Sequence, residues 1–196
     1  MAGHRRLFVG SIVAAIVVSI VGGWLLSRGD DTSTDVAAVD DIVLDKPGTS
    51  QIPSIATNAP VQGTPLPAVE LTTNDGATVV TADLLGQPLV INVWNSTCGP
   101  CKKELPAFAA VHAARGDRVR FVGVNTLDVP EVNESFARER GVQYELLRDV
   151  DGAFTDAVGI ATQPVTLFVA ADGTIVRQTG VLDEATLRQY VDELLA

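Results

Sequence analysis

The sequence predicts an α/β domain built on a mixed central sheet flanked by helices, and three observations carry that expectation. Residues 89–94 (LVINVW) and 120–125 (RFVGVN) are near-continuous apolar runs, the pattern of strands buried on both faces. Helical stretches with one apolar side lie between and after them. Two turns, Asn74-Asp75-Gly76 and Asp172-Gly173, separate short β-forming segments and signal hairpins.

The N-terminal part reads differently. Residues 7–26 form a run of 20 without a charge, long enough as a helix to span about 30 Å of bilayer. His4, Arg5 and Arg6 precede the run, whereas Asp30, Asp31 and Asp35 follow it. The positive-inside rule then leaves residues 1–6 in the cytoplasm and exports the rest as a single-pass membrane protein. A cleaved signal peptide is the competing reading, and it would make the domain a secreted one. Residues 27–62, with Pro47, Gly48, Pro53 and Pro60 and no sustained apolar period, read as a flexible extracytoplasmic linker.

The folded domain is expected over residues 63–196. Strands are expected at 68–71 and 77–81 around the first turn, then at 89–94. A helix follows from Cys101 to about Ala114, with Leu105, Phe108, Ala109, Val111 and His112 covering one side. After the strand at 120–125, residues 131–140 form a charged amphipathic helix ended by Gly141. A short strand at 144–147 and a short helix at 152–158, ended by Gly159, come next. Strands at 165–170 and 174–179 flank the second turn. Residues 183–195 close the chain as a helix with Asp183 at its cap.

Composition sets limits. Of 196 residues 46% are hydrophobic and 19% charged, which suits a packed core rather than a disordered chain. A formal net charge of -10 argues against nucleic acid as a partner, since phosphate recognition needs clustered Lys and Arg. Nothing in the pattern calls for an assembly beyond the monomer.

The chain has two cysteines, Cys98 and Cys101. A bridge between them closes too small a loop to staple the fold, so their purpose reads as chemical. Cys98-Gly99-Pro100-Cys101 follows a buried strand and opens a helix. A thiolate there faces unpaired N–H groups and the positive end of the helix dipole, which should bring Cys98 below a free thiol's roughly 8.5. Cys98 is the expected nucleophile and Cys101 the resolving thiol. Structural zinc needs four Cys or His ligands, and only His4 and His112 accompany the pair, so no metal is expected. No cofactor is expected beyond the redox disulfide itself. Peroxidase chemistry in the known pattern would want Thr or Ser three residues before Cys98, where Asn95 stands.

The stretch Val93-Trp94-Asn95-Ser96-Thr97-Cys98-Gly99-Pro100-Cys101-Lys102-Lys103-Glu104-Leu105-Pro106 resembles the active site of thioredoxin-like proteins. It is most similar to the membrane-anchored TlpA/ResA-like (CcmG-like) oxidoreductases linked to cytochrome c maturation. The resemblance runs from about Pro65 to the C-terminus and implies the thioredoxin-like fold. It implies that Pro164 is the cis proline beside the disulfide, that Pro106 kinks the active-site helix, and that Trp94 packs under the site. By the same resemblance Gly99, Pro100, Gln163, Pro164 and Trp94 face or support the substrate. Glu104 matches an acid kept near the cysteines, able to raise a thiol pKa or relay a proton. A solvated helix glutamate paired with a lysine is the equally good ordinary reading. Two departures stand out: Thr97 replaces a tryptophan, and Asn92 replaces the buried aspartate of ordinary thioredoxins.

Three functions follow as expectations. One is a reductase of exported protein disulfides, with apocytochrome c among them, fed by a membrane thiol-disulfide electron donor. Another is an oxidase that donates its disulfide. The third is a tethered binding module whose cysteines take no part.

Overall fold

The computed structural model describes residues 58–196. The expected cytoplasmic N-terminus, the transmembrane segment at 7–26 and most of the linker lie outside the described residues. Among the described residues, no helix is long and apolar enough to cross a membrane.

Seven strands form one mixed sheet in the order β2-β1-β5-β4-β3-β6-β7. They are β1 (Glu70–Thr73), β2 (Thr78–Val80), β3 (Leu89–Trp94), β4 (Arg120–Asn125), β5 (Glu145–Arg148), β6 (Val165–Val169) and β7 (Ile175–Thr179). β3, β4 and β5 run parallel, so their C-terminal ends share one edge of the sheet. β6 pairs antiparallel with β3, and β7 antiparallel with β6. The same edge therefore receives the start of β6 and the end of β7. Four helices join them: α1 (Gly99–Arg115), α2 (Pro130–Arg138), α3 (Ala153–Val158) and α4 (Glu184–Leu194), with a 3-10 turn at Thr81–Leu84.

The strict alternation of a strand explains the layers. From β3, Val90 and Trp94 join α1's Leu105, Phe108 and Val111 and α4's Leu187 and Val191 in one core. Leu89, Ile91 and Val93 point the other way, to Leu84 and to Phe154 and Val158 of α3. Both faces are covered, as the continuous apolar runs predict.

The differences from expectation are at boundaries. β1 begins two residues later than the sequence suggests, because the Val69 N–H is taken by the Thr81 hydroxyl and not by a strand partner. The helix expected from Cys101 starts at Gly99, with Cys98 as its cap. The turn at Thr81–Leu84 has no counterpart in the sequence reading. Residues 58–62, read as linker, are hydrogen-bonded to the domain: the Ala59 N–H donates to Gly159 O and the Val61 N–H to Gln178 Oε1.

Candidate active site

β3 delivers the chain to the functional edge at Trp94, and four residues later Cys98 caps α1. The Cys98 backbone is extended (φ -76°, ψ 105°), and its Sγ accepts the Cys101 N–H at 3.2 Å. Pro100, in the first turn, lacks the N–H that a first turn cannot satisfy. Cys98 and Cys101 are joined in a disulfide with their Cα atoms 5.3 Å apart. Cys101 is fully buried and Cys98 only partly, so Cys98 is the sulfur a partner can reach. Gly99 and Pro100 are exposed beside it. Pro106 lies inside α1, where it removes one helix hydrogen bond.

Glu104, one turn beyond Cys101, is 2% exposed. Its Oε1 accepts from Asn92 Nδ2 at 2.8 Å, and its Oε2 accepts the Leu182 N–H at 3.2 Å. Burial pushes its carboxyl up to about 7, against the pull of those two donors. No Lys or Arg among the described residues pairs with it; Lys102 and Lys103 are exposed on the outer face. The solvated alternative is thereby excluded. Asn92, in the aspartate's place, is the donor for Glu104, and it also reaches Thr166 Oγ1 at 3.3 Å.

The Gln163-Pro164 peptide bond is cis. Gln163 is tied to the loop before Cys98, since Asn95 Nδ2 donates to its Oε1 at 2.7 Å. Its own Nε2 donates to Thr126 Oγ1 at 2.6 Å. Asp128 holds the same loop from the other side, accepting from the Ser96 N–H at 2.8 Å and the Ser96 hydroxyl at 2.6 Å. The disulfide, the proline loop and the loop after β4 thus form one braced rim. A cavity of about 530 Å³ opens beside it, with Pro100, Gln163 and Pro164 among its walls.

Trp94 is placed differently from a substrate contact. It is fully buried, stacked on Phe136 at 5.5 Å between ring centroids, and forms the floor beneath the site. The sequence reading missed Asp128, Thr126 and Asn58 as parts of the rim. Asn95 figured there only as a mismatch to the peroxidase pattern. Side chains on separate loops leave no periodic signal, and only the turn-forming Asn125 and Asp128 hint at a specific loop. Among the described residues, no cluster of His, Cys, Asp and Glu is arranged to hold a metal.

Comparison with known proteins agrees with this geometry. The chain is 27% identical over 133 residues to the thiol-disulfide oxidoreductase ResA of Bacillus subtilis (strain 168), covering 67% of this chain and 74% of that protein. It is 36% identical over 137 residues to the thiol:disulfide interchange protein DsbE of Pseudomonas fluorescens biotype C, covering 68% and 74%. Among solved structures, a secreted Mycobacterium tuberculosis disulfide oxidoreductase homologous to E. coli DsbE superposes with a TM-score of 0.57 at 29% identity, covering 64% of this chain and 96% of that one. The AhpC/TSA family matches residues 62–186. A disulfide at the mouth of a helix, on a thioredoxin-like sheet shared with these relatives, makes the chain a member of the AhpC/TSA family and a thiol-disulfide oxidoreductase.

Proposed function

We propose that the chain reduces disulfides in exported proteins on the extracytoplasmic side of a membrane, anchored by residues 7–26, and that apocytochrome c is the substrate it serves. Glu104 carries the reductive direction. A buried carboxylate with no paired cation, one turn from Cys101, disfavours thiolate charge and so favours the uncharged disulfide over the reduced pair. A protein whose disulfide is favoured gives its electrons away readily. The basic start and apolar run of residues 4–26 support export, as does the secreted relative.

The reduced protein acts in two exchanges. The Cys98 thiolate attacks one sulfur of the substrate disulfide; the mixed disulfide forms as the substrate S–S bond breaks, and the released thiolate takes a proton. Cys101 gives up its proton and attacks Cys98 Sγ, forming the intramolecular disulfide and expelling the second substrate sulfur, which is protonated in turn. Two electrons and two protons pass to the substrate. A membrane thiol-disulfide electron donor then reduces the Cys98–Cys101 disulfide. In this reading Glu104, one turn from Cys101, accepts the Cys101 proton, because a group titrating near neutrality can both take and return it.

A Cys101→Ser variant of the full chain cannot resolve the mixed disulfide, so it should capture apocytochrome c covalently. Capture of unrelated exported proteins alone would sink the narrow substrate. Redox equilibration should place the pair nearer the about −270 mV of thioredoxin than the about −120 mV of a strong oxidant. A value at the oxidising end would make the protein a disulfide donor instead.

A further inference from the structure

We infer that residues 58–61, at the end of the expected linker, form a wall of the substrate groove, and that Asn58 is a positioning residue that selects polypeptide disulfides over small ones. The inference rests on the proposed action on protein disulfides and names where such a substrate lies.

Asn58 acts on the loop that carries the cis proline. Its Oδ1 accepts the N–H groups of Ala161 and Thr162, both at 2.8 Å, and its Nδ2 donates to Thr162 O at 3.0 Å. One side chain thus meets two backbone N–H groups and one carbonyl of the loop. Next to it the Ala59 N–H donates to Gly159 O at 2.9 Å. Gly159 has φ +68°, and a Cβ there would meet the Ala59 Cβ at 2.5 Å, so the two backbones approach more closely than any other residue allows. The Val61 N–H donates to Gln178 Oε1 at 3.2 Å and fixes the far end of the segment to β7.

Asn58 and Pro60 line the same cavity as Pro100, Pro164 and Val181. A volume of about 530 Å³ lies within the range of ordinary binding sites and far exceeds what one disulfide needs. Its lining is apolar at the prolines and Val181 and carries the amides of Asn58, Gln163 and Gln178. That chemistry suits an extended polypeptide bearing an apolar side chain next to its cysteine. A small disulfide has to reach only Cys98, which is not among the residues lining the groove.

The bonds of Asn58 are near the surface, so their loss loosens the loop more than it unfolds the domain. Apparent affinity falls by the fraction of time the loop spends out of place. The test uses the full-length chain in detergent, with two probes. One is a peptide dimer joined through its cysteines, with leucine beside each; the other is hydroxyethyl disulfide. For Asn58→Ala, the ratio of kcat/KM for the peptide over the small disulfide should fall on the order of tenfold, with the change in KM. Asn58→Asp keeps the acceptor for both N–H groups and loses the donor, so its ratio should lie between the two. Gln178→Ala, which frees Val61 and removes one lining side chain but leaves the Asn58 bonds to the proline loop in place, should lower the ratio less. An unchanged ratio in Asn58→Ala overturns the inference while leaving the oxidoreductase reading intact, as does an equal loss on both probes accompanied by a lower Tm. A wild-type chain that reduces neither probe would sink both.

Discussion

Ionising Glu104 inside the fold strips a carboxylate of water, and the Asn92 and Leu182 donors offset only part of that cost. Its carboxyl therefore rises from 4.5 to about 7. Between those values the folded chain holds a proton that the unfolded chain has released. Raising the pH through this window favours unfolding; the stability is fully present below 4.5 and lost as pH passes 7. The difference amounts to about 3 kcal/mol. Urea midpoints taken from pH 4.5 to 8 should show that decline in the wild type and its disappearance in Glu104→Gln; parallel curves would contradict the assignment. Tyr144 belongs to the same interior, and burial together with the Glu104 charge pushes its phenol up. Spacing in the sequence places Glu104 one turn after Cys101, which is legible. Which way it faces is not, because the deciding donor, the Leu182 N–H, is 78 residues away. Asn92 is the other half of the explanation, since an amide at that point supplies a donor where an aspartate would add a second buried charge.

The elements were readable where periodicity is strong, and their ends were not. β3 and β4 match their apolar runs, because a strand buried on both faces writes itself as an uninterrupted segment. β1 slipped because a threonine hydroxyl, which no periodicity reveals, took over a backbone N–H. α3 shows a hidden cap. Its N-cap position is Gly152 in the left-handed region (φ 79°), with no side chain to offer. The buried Asp149 does the work from outside the helix, accepting the N–H of Phe154 and of Thr155, each at 2.9 Å. Since α3 anchors Phe154 and Val158 in the core, Asp149→Ala should cost about 2 kcal/mol. Denaturant unfolding measures that loss, and Asp149→Asn, which keeps one acceptor, should recover part of it. At the site, Cys98, Cys101 and Pro164 were legible from the motif and the resemblance. The brace of Asn95, Gln163, Thr126 and Asp128 was not, since it joins loops after β3 and β4 to the one before β6.

At the scale of the molecule, parallel strands gather their loops on one edge, and chemistry gathers with them. Leu127, Val129, Val150 and Val181 are large apolar side chains that stay exposed on loops following β4, β5 and β7, the edge that also carries Cys98. The interior beneath is continuous with the site: Trp94 and Cys101 share one core cluster, and Cys98 packs against it. That arrangement has an optical consequence. The chain contains two tryptophans, and the other is Trp24. Indole emission is quenched by a neighbouring disulfide and restored when the bond is opened. In a Trp24→Phe chain, all emission comes from Trp94, and it should brighten when dithiothreitol is added. The rise should be absent when Cys98 and Cys101 are both replaced by serine. A floor residue that no substrate touches thereby reports, in unlabelled protein, whether the pair above it holds its electrons.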